Sequence, residues 1–532
     1  MPHAAEELPS LIEPHLAARP DAVAVIDGER RIGFAEFDRL CTRTAAWLHA
    51  QGVRRGDCVA VWLVNRVEWL ALLFALARLG ATTMSVNTRF RAAELSHVLE
   101  RSGARMLVIQ RRFRRIDFDA ILDAMDGAAF TALERVAVLD AGTALPAGVL
   151  GKPTVAFDAD ALPDAPAPPS AAAADARAIY FTTSGTTQGP KLVVHVQRNL
   201  ALHARDVARA LGFEAPGTAT LGAVPFCGTF GLFAALASLA AGAPVVPMQA
   251  FDAAEAAALV RRHGLSHVFG TDDMLRRLLD LDAAAAAMPS LRLGGFVLNA
   301  EMAQRALARG WPVAGLYGSS EMHALFSLQP AHLPMDERLL GGGMPVSPQA
   351  EVRVRDVESG ELLPPGASGE LEIRSATRFV GYLGNPEATA KALRDDGFFR
   401  TGDIGRVRED GSFVFETRTG DAIRLGGFLV SPVEIEEVIR QLPGVADAQI
   451  VAVEIERTRR AVAFVIRRAG HEPPPDEAAV ADWVRARMAA FKVPARVWFV
   501  DAFPVTHSAN GDKVQRAKLR EMAAARLAAP GG

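Results

Sequence analysis

The stretch Asp57–Val86, DCVAVWLVNRVEWLALLFALARLGATTMSV, contains the pattern that decides the fold. Asp57–Val64 is a short apolar run of the kind that forms a buried strand, and Arg66–Leu79 has helical periodicity up to Gly80. Apolar residues resume at Ala81–Val86. A strand, a helix and a second strand joined by short connections predict a βαβ unit in a parallel sheet.

The same alternation recurs downstream, at Leu200–Met248 and Ala253–Val297. No charged residue lies between Glu214 and Asp252, and this stretch is long enough to span a bilayer. Prolines and glycines divide it, however, into a predicted strand, helix and strand at Leu221–Val224, Phe230–Ala241 and Pro244–Met248. We therefore expect a buried strand–helix–strand unit here and no membrane span.

The pattern changes after about residue 345. Short alternating segments bounded by turn residues predict strands of an antiparallel, β-rich subdomain at Glu351–Asp356, Gly369–Arg374 and Ser412–Glu416. From Asp421 the chain is typical of a small α+β module. Its predicted helices and strands are Pro432–Gln441, Ala446–Val453, Arg460–Arg467 and Asp476–Phe491.

The predicted fold is therefore α/β with two domains. A large N-terminal body at residues 1–419 contains parallel βαβ sheets and the β-rich subdomain at about 345–417. A small, mobile α+β domain follows at residues 420–532, after a linker near Thr417–Gly420.

Composition limits the classes of function. Half of the 532 residues are hydrophobic and 22% are charged, so a packed core is expected and wholesale disorder is excluded. A net charge of −3 gives no electrostatic reason to expect nucleic acid or an anionic membrane as a partner. Cys41, Cys58 and Cys227 form no CxxC pair, which disfavours a zinc ribbon or a disulfide scaffold. Met1–Pro20 lacks the features of a secretory signal, so we expect a cytoplasmic protein.

The strongest local motif is Thr182–Lys191, TTSGTTQGPK. Its glycines allow the backbone to approach a ligand closely, its hydroxyls donate hydrogen bonds to phosphate oxygens, and its lysine adds a positive charge. The motif follows the apolar run Ala178–Phe181, which predicts a strand. It has the logic of a Walker A loop with a different spacing. A phosphate-cradling loop is favoured over an ordinary polar loop.

TTSGTTQGPK resembles the phosphate-loop signature of the adenylate-forming superfamily, which includes acyl-CoA synthetases, adenylation domains of peptide synthetases and luciferases. Further motifs that resemble those of the family follow in the family's order. They are PFCGTFG at Pro225–Gly231, YGSSE at Tyr317–Glu321, GGMP at Gly342–Pro345, TGD at Thr401–Asp403, RTGDAIRLGGFLVSPVEIE at Arg418–Glu436 and NGDKVQR at Asn510–Arg516. The resemblance runs from about residue 20 to residue 520.

This resemblance implies a set of residues that bind ATP. The set comprises Thr183, Ser184, Gly185, Thr186, Thr187, Lys191, Asn299, Ala300, Glu301, Tyr317, Gly318, Ser319, Ser320, Asp403 and Arg418. Tyr317 offers a flat face to adenine. Asp403 is expected to lie just after a turn and, helped by Arg418, to bind the ribose hydroxyls.

Two residues are implied to be catalytic. When it is ionised, Glu321 can only accept hydrogen bonds, and it suits a Mg²⁺ ion that bridges phosphates. Lys513 matches the family's lysine that contacts the acid and the α-phosphate, where it stabilises charge that develops during the transfer. Lysine is rare here, with six among 58 basic residues, so its context is informative.

The acid and the thiol have their own expected sites. The expected acyl pocket consists of Phe226, Cys227, Gly228, Phe230, Gly231, Asn299, Met322 and His323. Because these residues are mostly apolar or small and include no basic clamp, we expect an apolar aryl, alicyclic or medium-chain acid. The resemblance places coenzyme A against Gly426 and Gly427, and the hinge of the rotating C-terminal domain at Gly420.

The chain departs from the family's motifs at several positions. Gln188 stands where glycine is usual, and Leu192 and Gln197 replace a common glycine and histidine after the lysine. Gly228 stands where many relatives carry a histidine or an aromatic residue, which is expected to enlarge the acyl pocket. Gly420 replaces an aspartate or lysine at the hinge, and glycine tolerates both backbone states there. None of these changes removes a charged group that the chemistry needs.

Taken together, these motifs predict an ATP-dependent carboxylic acid–CoA ligase that uses ATP, Mg²⁺ and coenzyme A. The expected partners are these small molecules alone, with no nucleic acid, and the chain is expected to be a monomer or homodimer. Two alternatives stay open: an adenylating enzyme that loads a carrier-protein phosphopantetheine, and a non-catalytic nucleotide-binding relative.

Overall fold

The computed structural model of the chain divides into two compact units. It describes residues 6–114, 116–139, 145–183, 190–296, 300–419, 423–425, 428–430, 432–455, 458–470, 472–488, 490–508 and 511–528. The first unit comprises Met1–Val352, Ile373–Phe399 and Asp410–Phe413. The second unit comprises Arg353–Glu372, Arg400–Glu409 and Val414–Gly532.

One sheet of the first unit is mostly parallel. Its strands lie in the order Val313–Ala314, Leu293–Phe296, His267–Gly270, Thr220–Gly222, Val245–Pro247, Val23–Asp27 and Arg30–Gly33. Neighbours run parallel except for the last pair, which is an antiparallel hairpin. Parallel neighbours need a crossover connection, which the helices between these strands supply.

A second sheet of the first unit carries the predicted βαβ unit. Its strands lie in the order Gly381–Tyr382, Leu192–Val196, Arg177–Thr182, Thr82–Ser85, Cys58–Trp62, Met106–Gln110, Arg135–Leu139, Lys152–Phe157 and Gly148–Val149. Cys58–Trp62 and Thr82–Ser85 pair in parallel, with Cys58 opposite Thr82. The antiparallel pairs are at the two ends, where Leu192–Val196 pairs with both of its neighbours and Gly148–Val149 pairs with Lys152–Phe157.

The helices of the first unit connect these strands and cover them. Their bounds are Glu13–Ala18, Phe34–Ala50, Val67–Arg78, Ala92–Ser102, Phe118–Asp123, Gln197–Ala210, Thr229–Ala241, Ala253–His263, Asp272–Leu279, Ala300–Ala308, Met335–Arg338 and Pro386–Ala392. Short 3₁₀ helices lie at Leu8–Leu11 and Gly127–Ala129. Sequence signals fix many helix ends. Asp252 caps the N-terminus of Ala253–His263 by accepting from the backbone N–H of Glu255, and Gly264 ends the helix in the left-handed region.

The helix Val67–Arg78 forms the centre of the first unit. Every residue from Val67 to Ala77 is buried, and all of them except Glu68 are apolar, as expected of a core helix. It packs against the helix Phe34–Ala50 and against the strands Cys58–Trp62 and Arg177–Thr182. The strand Arg177–Thr182 leads directly into the TTSGTTQGPK motif, so the packing of the helix against this strand fixes the position at which the motif begins.

Three more strands of the first unit carry the YGSSE motif and the residues after it. Leu316–Ser319 pairs antiparallel with His323–Leu328, which pairs antiparallel with Gly342–Pro345. Glu321 lies in the turn between the first two strands. A small hairpin at Arg112–Phe113 and Ile116–Asp117 completes the strands of this unit.

The strands of the β-rich region pair in the order Phe413–Arg418, Phe399–Val407, Gly369–Arg374 and Glu351–Arg355. Glu372, whose side chain is fully buried, binds Arg353 through Nε at 2.7 Å and Arg355 through Nε at 3.2 Å. These two charges compensate the burial of the carboxylate, which would otherwise cost several kcal/mol.

The C-terminal part of the second unit is an α+β module. Val445–Ile455 pairs antiparallel with Thr458–Arg467, which pairs in parallel with Arg496–Phe499. Hairpins lie at Ile423–Leu425 with Phe428–Val430 and at Val505–Ser508 with Gly511–Val514. The helices are Pro432–Arg440, Glu477–Arg485 and Arg516–Ala528, with a 3₁₀ turn at Ala490–Lys492.

The structure confirms the predicted fold class and corrects one local expectation. The uncharged stretch between Glu214 and Asp252 forms the strand Thr220–Gly222, the helix Thr229–Ala241 and the strand Val245–Pro247. None of the helices in the described ranges is long and apolar enough to cross a membrane. The expectation that Asp403 follows a turn is wrong, because Thr401–Asp403 lies inside the strand Phe399–Val407.

Candidate active site

The phosphate-loop motif begins and ends on two paired strands. Arg177–Thr182 and Leu192–Val196 pair antiparallel, and the backbone N–H of Thr183 donates to the carbonyl of Lys191 at 3.1 Å. The loop is thereby closed at its base. Ser184, Gly185, Thr186, Thr187 and Gln188 lie outside the described residues, as do Gly189 and Asn299.

Tyr382 joins the loop lysine to the YGSSE glutamate. Its hydroxyl donates to Oε1 of Glu321 at 2.9 Å, and Nζ of Lys191 lies 4.7 Å from the centre of its ring. A cation over an aromatic face is attracted by the ring quadrupole. One aromatic side chain therefore contacts an anionic group through its edge and a cationic group through its face. We refer to Lys191, Tyr382 and Glu321 as the tyrosine-bridged triad.

Backbone pairing fixes the position of Tyr382. Tyr382 lies opposite Val193 in the pairing of Gly381–Tyr382 with Leu192–Val196, so it sits beside Lys191 although 191 positions separate them in sequence. Its backbone N–H donates to the hydroxyl of Thr389 at 2.9 Å. The Phe379 ring lies 4.9 Å from the Tyr382 ring, and the Phe379 N–H donates to the carbonyl of Glu321 at 2.7 Å.

The electrostatics of the triad favour a proton on the tyrosine. Burial and the neighbouring carboxylate of Glu321 raise the pKa of Tyr382 above its usual range. Tyr382 therefore remains a hydrogen-bond donor to Glu321 at physiological pH. Among the described residues no donor occupies the second oxygen, Oε2, of Glu321. A carboxylate held by a neutral donor through one oxygen fits a hard divalent cation at the other.

Packing contacts and hydrogen bonds position the other residues of YGSSE. Tyr317 is buried, and its ring meets the Phe413 ring edge-on at 5.2 Å. A Cβ on Gly318 would lie 2.5 Å from Cα of Ala324, so this position admits only glycine. The hydroxyl of Ser320 donates to the carbonyl of Thr182 at 3.3 Å, and Ser319 accepts from the N–H of Met322 at 3.2 Å. The structure thus brings the YGSSE turn against the strand that ends at the phosphate loop.

Three buried histidines lie behind this turn. The ring of His323 lies 3.9 Å from that of His195 and 4.9 Å from that of His203, centroid to centroid. Nε2 of His195 bonds the carbonyl of Ser320 at 2.8 Å, and Nε2 of His203 bonds the carbonyl of Ala324 at 2.8 Å. We refer to these residues as the histidine stack. Only His323 among them was predicted to be functional from the sequence.

The PFCGTFG motif is held by a residue that the sequence analysis missed. Asn65 donates from Nδ2 to the carbonyls of Gly222 and Val224, and its Oδ1 accepts from the N–H of Phe226 at 2.7 Å. It is buried and lies just after the strand Cys58–Trp62. No motif signals this role, because the partners are more than 150 positions away in sequence.

The side chains of the motif divide into packed and open positions. Phe226 is fully buried, and its ring lies 6.0 Å from that of Trp69. A Cβ on Gly231 would lie 2.2 Å from the carbonyl oxygen of Val224, so Gly231 lets the helix start pack closely. A Cβ on Gly228, in contrast, would meet only the carbonyl of Pro225 at 3.7 Å.

Two further predicted pocket residues lie nearby in the motif. Cys227 is buried and accepts at its carbonyl from the hydroxyl of Ser85, and burial raises the pKa of its thiol to about 11. Phe230 is buried, with its ring 6.2 Å from that of Phe269. The neutral thiol of Cys227 is therefore a small apolar lining group and a poor nucleophile.

Asp403 and Arg418 meet within the second unit. Nε of Arg418 lies 3.3 Å from Oδ1 of Asp403, whose side chain is 4% exposed, whereas that of Arg418 is 59% exposed. The Asp403 N–H donates to the hydroxyl of Thr401 at 3.0 Å, and Gly402 adopts a left-handed φ of 70°. A buried carboxylate beside an exposed cationic side chain is suited to accept hydrogen bonds from sugar hydroxyls.

The remaining predicted residues are described in part or not at all. Lys513 lies in the strand Gly511–Val514 opposite Thr506, and its side chain is outside the described set. The backbone of Ala300 and Glu301 begins the helix Ala300–Ala308. Gly420, Gly426 and Gly427 lie outside the described residues.

A buried ion pair organises the segment after the two glycines. Glu436, 1% exposed, binds Nη1 of Arg516 at 2.6 Å and accepts from the N–H of Ile450 at 2.9 Å. The helix Pro432–Arg440 is thus tied both to the strand Val445–Ile455 and to the start of the helix Arg516–Ala528, just after Lys513. The sequence motif contains Glu436 but gives no sign of this structural role.

Comparison with protein families gives two matches. The model described as AMP-binding enzyme matches residues 12–383, and the model described as AMP-binding enzyme C-terminal domain matches residues 434–510.

Individual relatives cover nearly the whole chain. A fatty acid–[acyl-carrier-protein] ligase, ScoC, from Streptomyces coeruleorubidus is 32% identical over 519 residues, which are 95% of this chain and 94% of that protein. A feruloyl-CoA synthase from an Amycolatopsis species is 31% identical over 497 residues, 92% of this chain and 94% of that protein. The crystal structure of ATP-bound MatB from Rhodopseudomonas palustris superposes with a TM-score of 0.81 at 27% identity, covering 97% of this chain and 99% of that one.

Proposed function

The chain belongs to the AMP-binding enzyme family, and from this premise we propose that it is an ATP-dependent carboxylic acid–CoA ligase. Its relatives include ligases that act on free coenzyme A and ligases that act on carrier proteins. The proposal specifies the reaction, the acid and the acceptor for this chain.

The proposed reaction has two half-reactions. An oxygen of the acid's carboxylate attacks the α-phosphorus of ATP, the bond from that phosphorus to the bridging oxygen of the β-phosphate breaks, and pyrophosphate leaves. The thiolate of coenzyme A then attacks the carbonyl carbon of the acyl-adenylate, and AMP leaves as the thioester forms. Both steps depend mainly on positioning and on stabilising charge at the transferred groups.

The observation that supports the proposal best is the tyrosine-bridged triad. A cation at the exit of the phosphate loop and an anion in YGSSE lie on the two sides of one tyrosine, at 4.7 Å and 2.9 Å. Each of the two charged groups contacts the tyrosine, and no ion pair joins Lys191 to Glu321 among the described residues. Lys191 stays available for phosphate oxygens and Glu321 for a metal ion.

The other predicted residues have roles that extend this arrangement. Glu321 would hold Mg²⁺, which supplies positive charge to the phosphate oxygens when it is bound. Asp403, which forms an ion pair with Arg418, accepts hydrogen bonds from the ribose hydroxyls. Lys513 contacts the acid and the α-phosphate, a role that rests on the resemblance of NGDKVQR to the family's C-terminal motif.

The acid is proposed to be largely apolar. Phe226, Phe230 and Cys227 are buried apolar groups at the PFCGTFG motif, and the space beside Gly228 is open. The acids named for the relatives vary widely, from fatty acids to ferulate. This variety fits a pocket whose lining differs between chains that share the same nucleotide site.

A pyrophosphate-exchange assay with a panel of carboxylic acids tests the first half-reaction. We expect exchange with aryl, alicyclic or medium-chain acids, and we expect Lys513→Ala to reduce it by at least 100-fold. Lys518→Ala is the matched control, since Lys518 is an exposed lysine five positions away in the helix Arg516–Ala528. Equal loss in both variants, or full exchange in Lys513→Ala, refutes the assignment of Lys513.

A second candidate acceptor is a carrier-protein phosphopantetheine, because ScoC, 32% identical, is named as an acyl-carrier-protein ligase. Supplying free coenzyme A and a pantetheinylated carrier protein in parallel distinguishes the two acceptors. The CoA proposal predicts thioester formation with the free thiol. Transfer to the carrier protein alone would reassign the acceptor while leaving the adenylation step intact.

A further inference from the structure

We propose that His97 is a positioning residue for the phosphate loop, because it holds the carbonyl of Pro190 and thereby orients Lys191 toward the phosphates of ATP. The inference rests on the proposed function and adds a residue that no sequence motif marks. His97 lies on the helix Ala92–Ser102, 93 positions before Pro190, and its Nε2 is 3.0 Å from the carbonyl oxygen of Pro190. A carbonyl oxygen can only accept, so Nε2 of His97 carries the proton and donates.

Three consecutive carbonyls at the end of the loop accept hydrogen bonds from three different parts of the chain. The carbonyl of Pro190 accepts from His97. Those of Lys191 and Leu192 accept from backbone N–H groups, of Thr183 at 3.1 Å and of Leu383 at 2.9 Å. His97 is the side-chain donor of the three. Its contact can therefore be removed by substitution while both backbone donors remain.

The carbonyl of Pro190 controls the start of Lys191. Proline has no N–H, so this carbonyl is the backbone group through which Pro190 can be held by a hydrogen bond. The peptide unit is planar, so the same rigid plane contains the carbonyl of Pro190 and the N and Cα atoms of Lys191. His97 thus fixes the orientation of the plane from which the lysine side chain departs toward Tyr382, whose ring centre lies 4.7 Å from Nζ.

The helix that carries His97 is itself packed against the strand that follows the loop. Its buried residues Leu95, Val98 and Leu99 belong to the same core cluster as Leu192 and Val194. His97 is half-buried on this helix. The packing therefore fixes the base from which His97 reaches Pro190, and a donor on a fixed base can hold its acceptor in one place.

Two substitutions of His97 and one matched control test the inference. His97→Leu removes the donor, whereas His97→Gln keeps an N–H donor at a similar reach. Glu94→Ala removes the 3.0 Å hydrogen bond from the N–H of Arg91 to Oε2 of Glu94, which caps the start of the same helix, and leaves the donor to Pro190 in place. Calorimetry measures the binding of Mg·ATP and of AMP, pyrophosphate exchange gives KM for ATP and for the acid, and thermal melting reports folding.

We expect His97→Leu to weaken Mg·ATP binding by about 3- to 10-fold, the effect of losing one hydrogen bond between neutral groups. AMP keeps the nucleoside but lacks two of the three phosphates, so its binding should change by less than about 2-fold. KM for ATP should rise while KM for the acid stays unchanged. His97→Gln should restore most of the ATP binding, and Glu94→Ala should leave the ratio of ATP to AMP affinity unchanged even where its melting temperature falls.

Several outcomes would overturn the inference and leave the proposed function standing. Equal losses of ATP and AMP binding in His97→Leu, or the same change of ratio in Glu94→Ala, would show that His97 serves only the stability of the helix. Unchanged ATP binding in a folded His97→Leu variant overturns it as well, as does a loss that His97→Gln does not restore. Absence of ATP binding and of pyrophosphate exchange in the native protein refutes the proposed function and this inference with it.

Discussion

Replacing Tyr382 by phenylalanine tests the tyrosine-bridged triad directly. The change removes one oxygen and leaves the ring, so the contact with Lys191 and the packing on Phe379 remain. The variant loses the 2.9 Å hydrogen bond from the hydroxyl to Oε1 of Glu321. The carboxylate of Glu321 then has no side-chain hydrogen-bond donor among the described residues to fix its orientation.

The size of the effect follows from that single bond. A hydrogen bond to a charged group contributes about 1.5–3 kcal/mol, which corresponds to roughly 10- to 150-fold in an equilibrium constant. Loss of a partner that orients a metal ligand typically weakens metal affinity by about 10- to 100-fold. We therefore expect the Mg²⁺ concentration for half-maximal exchange to rise by about 10- to 100-fold in Tyr382→Phe.

The assay is Mg²⁺-dependent ATP binding by calorimetry, alongside pyrophosphate exchange as a function of Mg²⁺. Tyr180→Phe is the matched control, because Tyr180 is also a buried tyrosine of the first unit and its hydroxyl accepts a hydrogen bond from Nη1 of Arg177 at 3.2 Å. An unchanged Mg²⁺ dependence in Tyr382→Phe, or the same shift in Tyr180→Phe, would refute the reasoning.

Three further predictions concern other parts of the chain. Burial lowers the pKa of His203 to about 4, so between about pH 6.5 and pH 4 the unfolded chain binds a proton at this residue that the folded chain does not bind. At pH 5 this difference lowers the free energy of unfolding by about 2 kcal/mol. The variant His203→Phe should therefore lose less stability than the native protein when urea unfolding is measured at acid pH. Gly228→Ala should keep its melting temperature, since its Cβ meets only Pro225, but shift kcat/KM toward smaller acids; a melting temperature that falls by more than about 5 °C contradicts this. Glu436→Gln should destabilise the second unit by about 3–5 kcal/mol in urea titrations because it removes the charge of the buried carboxylate that pairs with Arg516, and a loss below about 1 kcal/mol would show that the pair is replaceable.

Local patterns predicted much of the fold. The helix Thr229–Ala241 and the strands on each side of it follow from apolar runs separated by prolines and glycines, and the structure places them within two residues of the expected bounds. The family assignment from ordered motifs is likewise confirmed by the match over residues 12–383. Each of these inferences needed only residues that are close in sequence.

The parts that escaped prediction depend on distant partners. Asp403 was expected after a turn because TGD has turn composition, whereas pairing with other strands places it inside Phe399–Val407. Tyr382 was not predicted to be a site residue, since its role requires the pairing of Gly381–Tyr382 with a strand almost 190 positions earlier. Asn65 carries no motif, because its partners are backbone groups. The roles of Lys513, Gly420 and the CoA-side glycines stay predictions.

The two glycines of PFCGTFG differ in what they leave open to change. A methyl group on Gly231 would clash with the carbonyl oxygen of Val224, whereas a methyl group on Gly228 would make no steric clash. Position 228 can therefore accept a side chain during evolution, whereas position 231 must remain glycine because of the backbone beside it. Mutant libraries meant to broaden the acids accepted should diversify position 228 and leave 231 untouched.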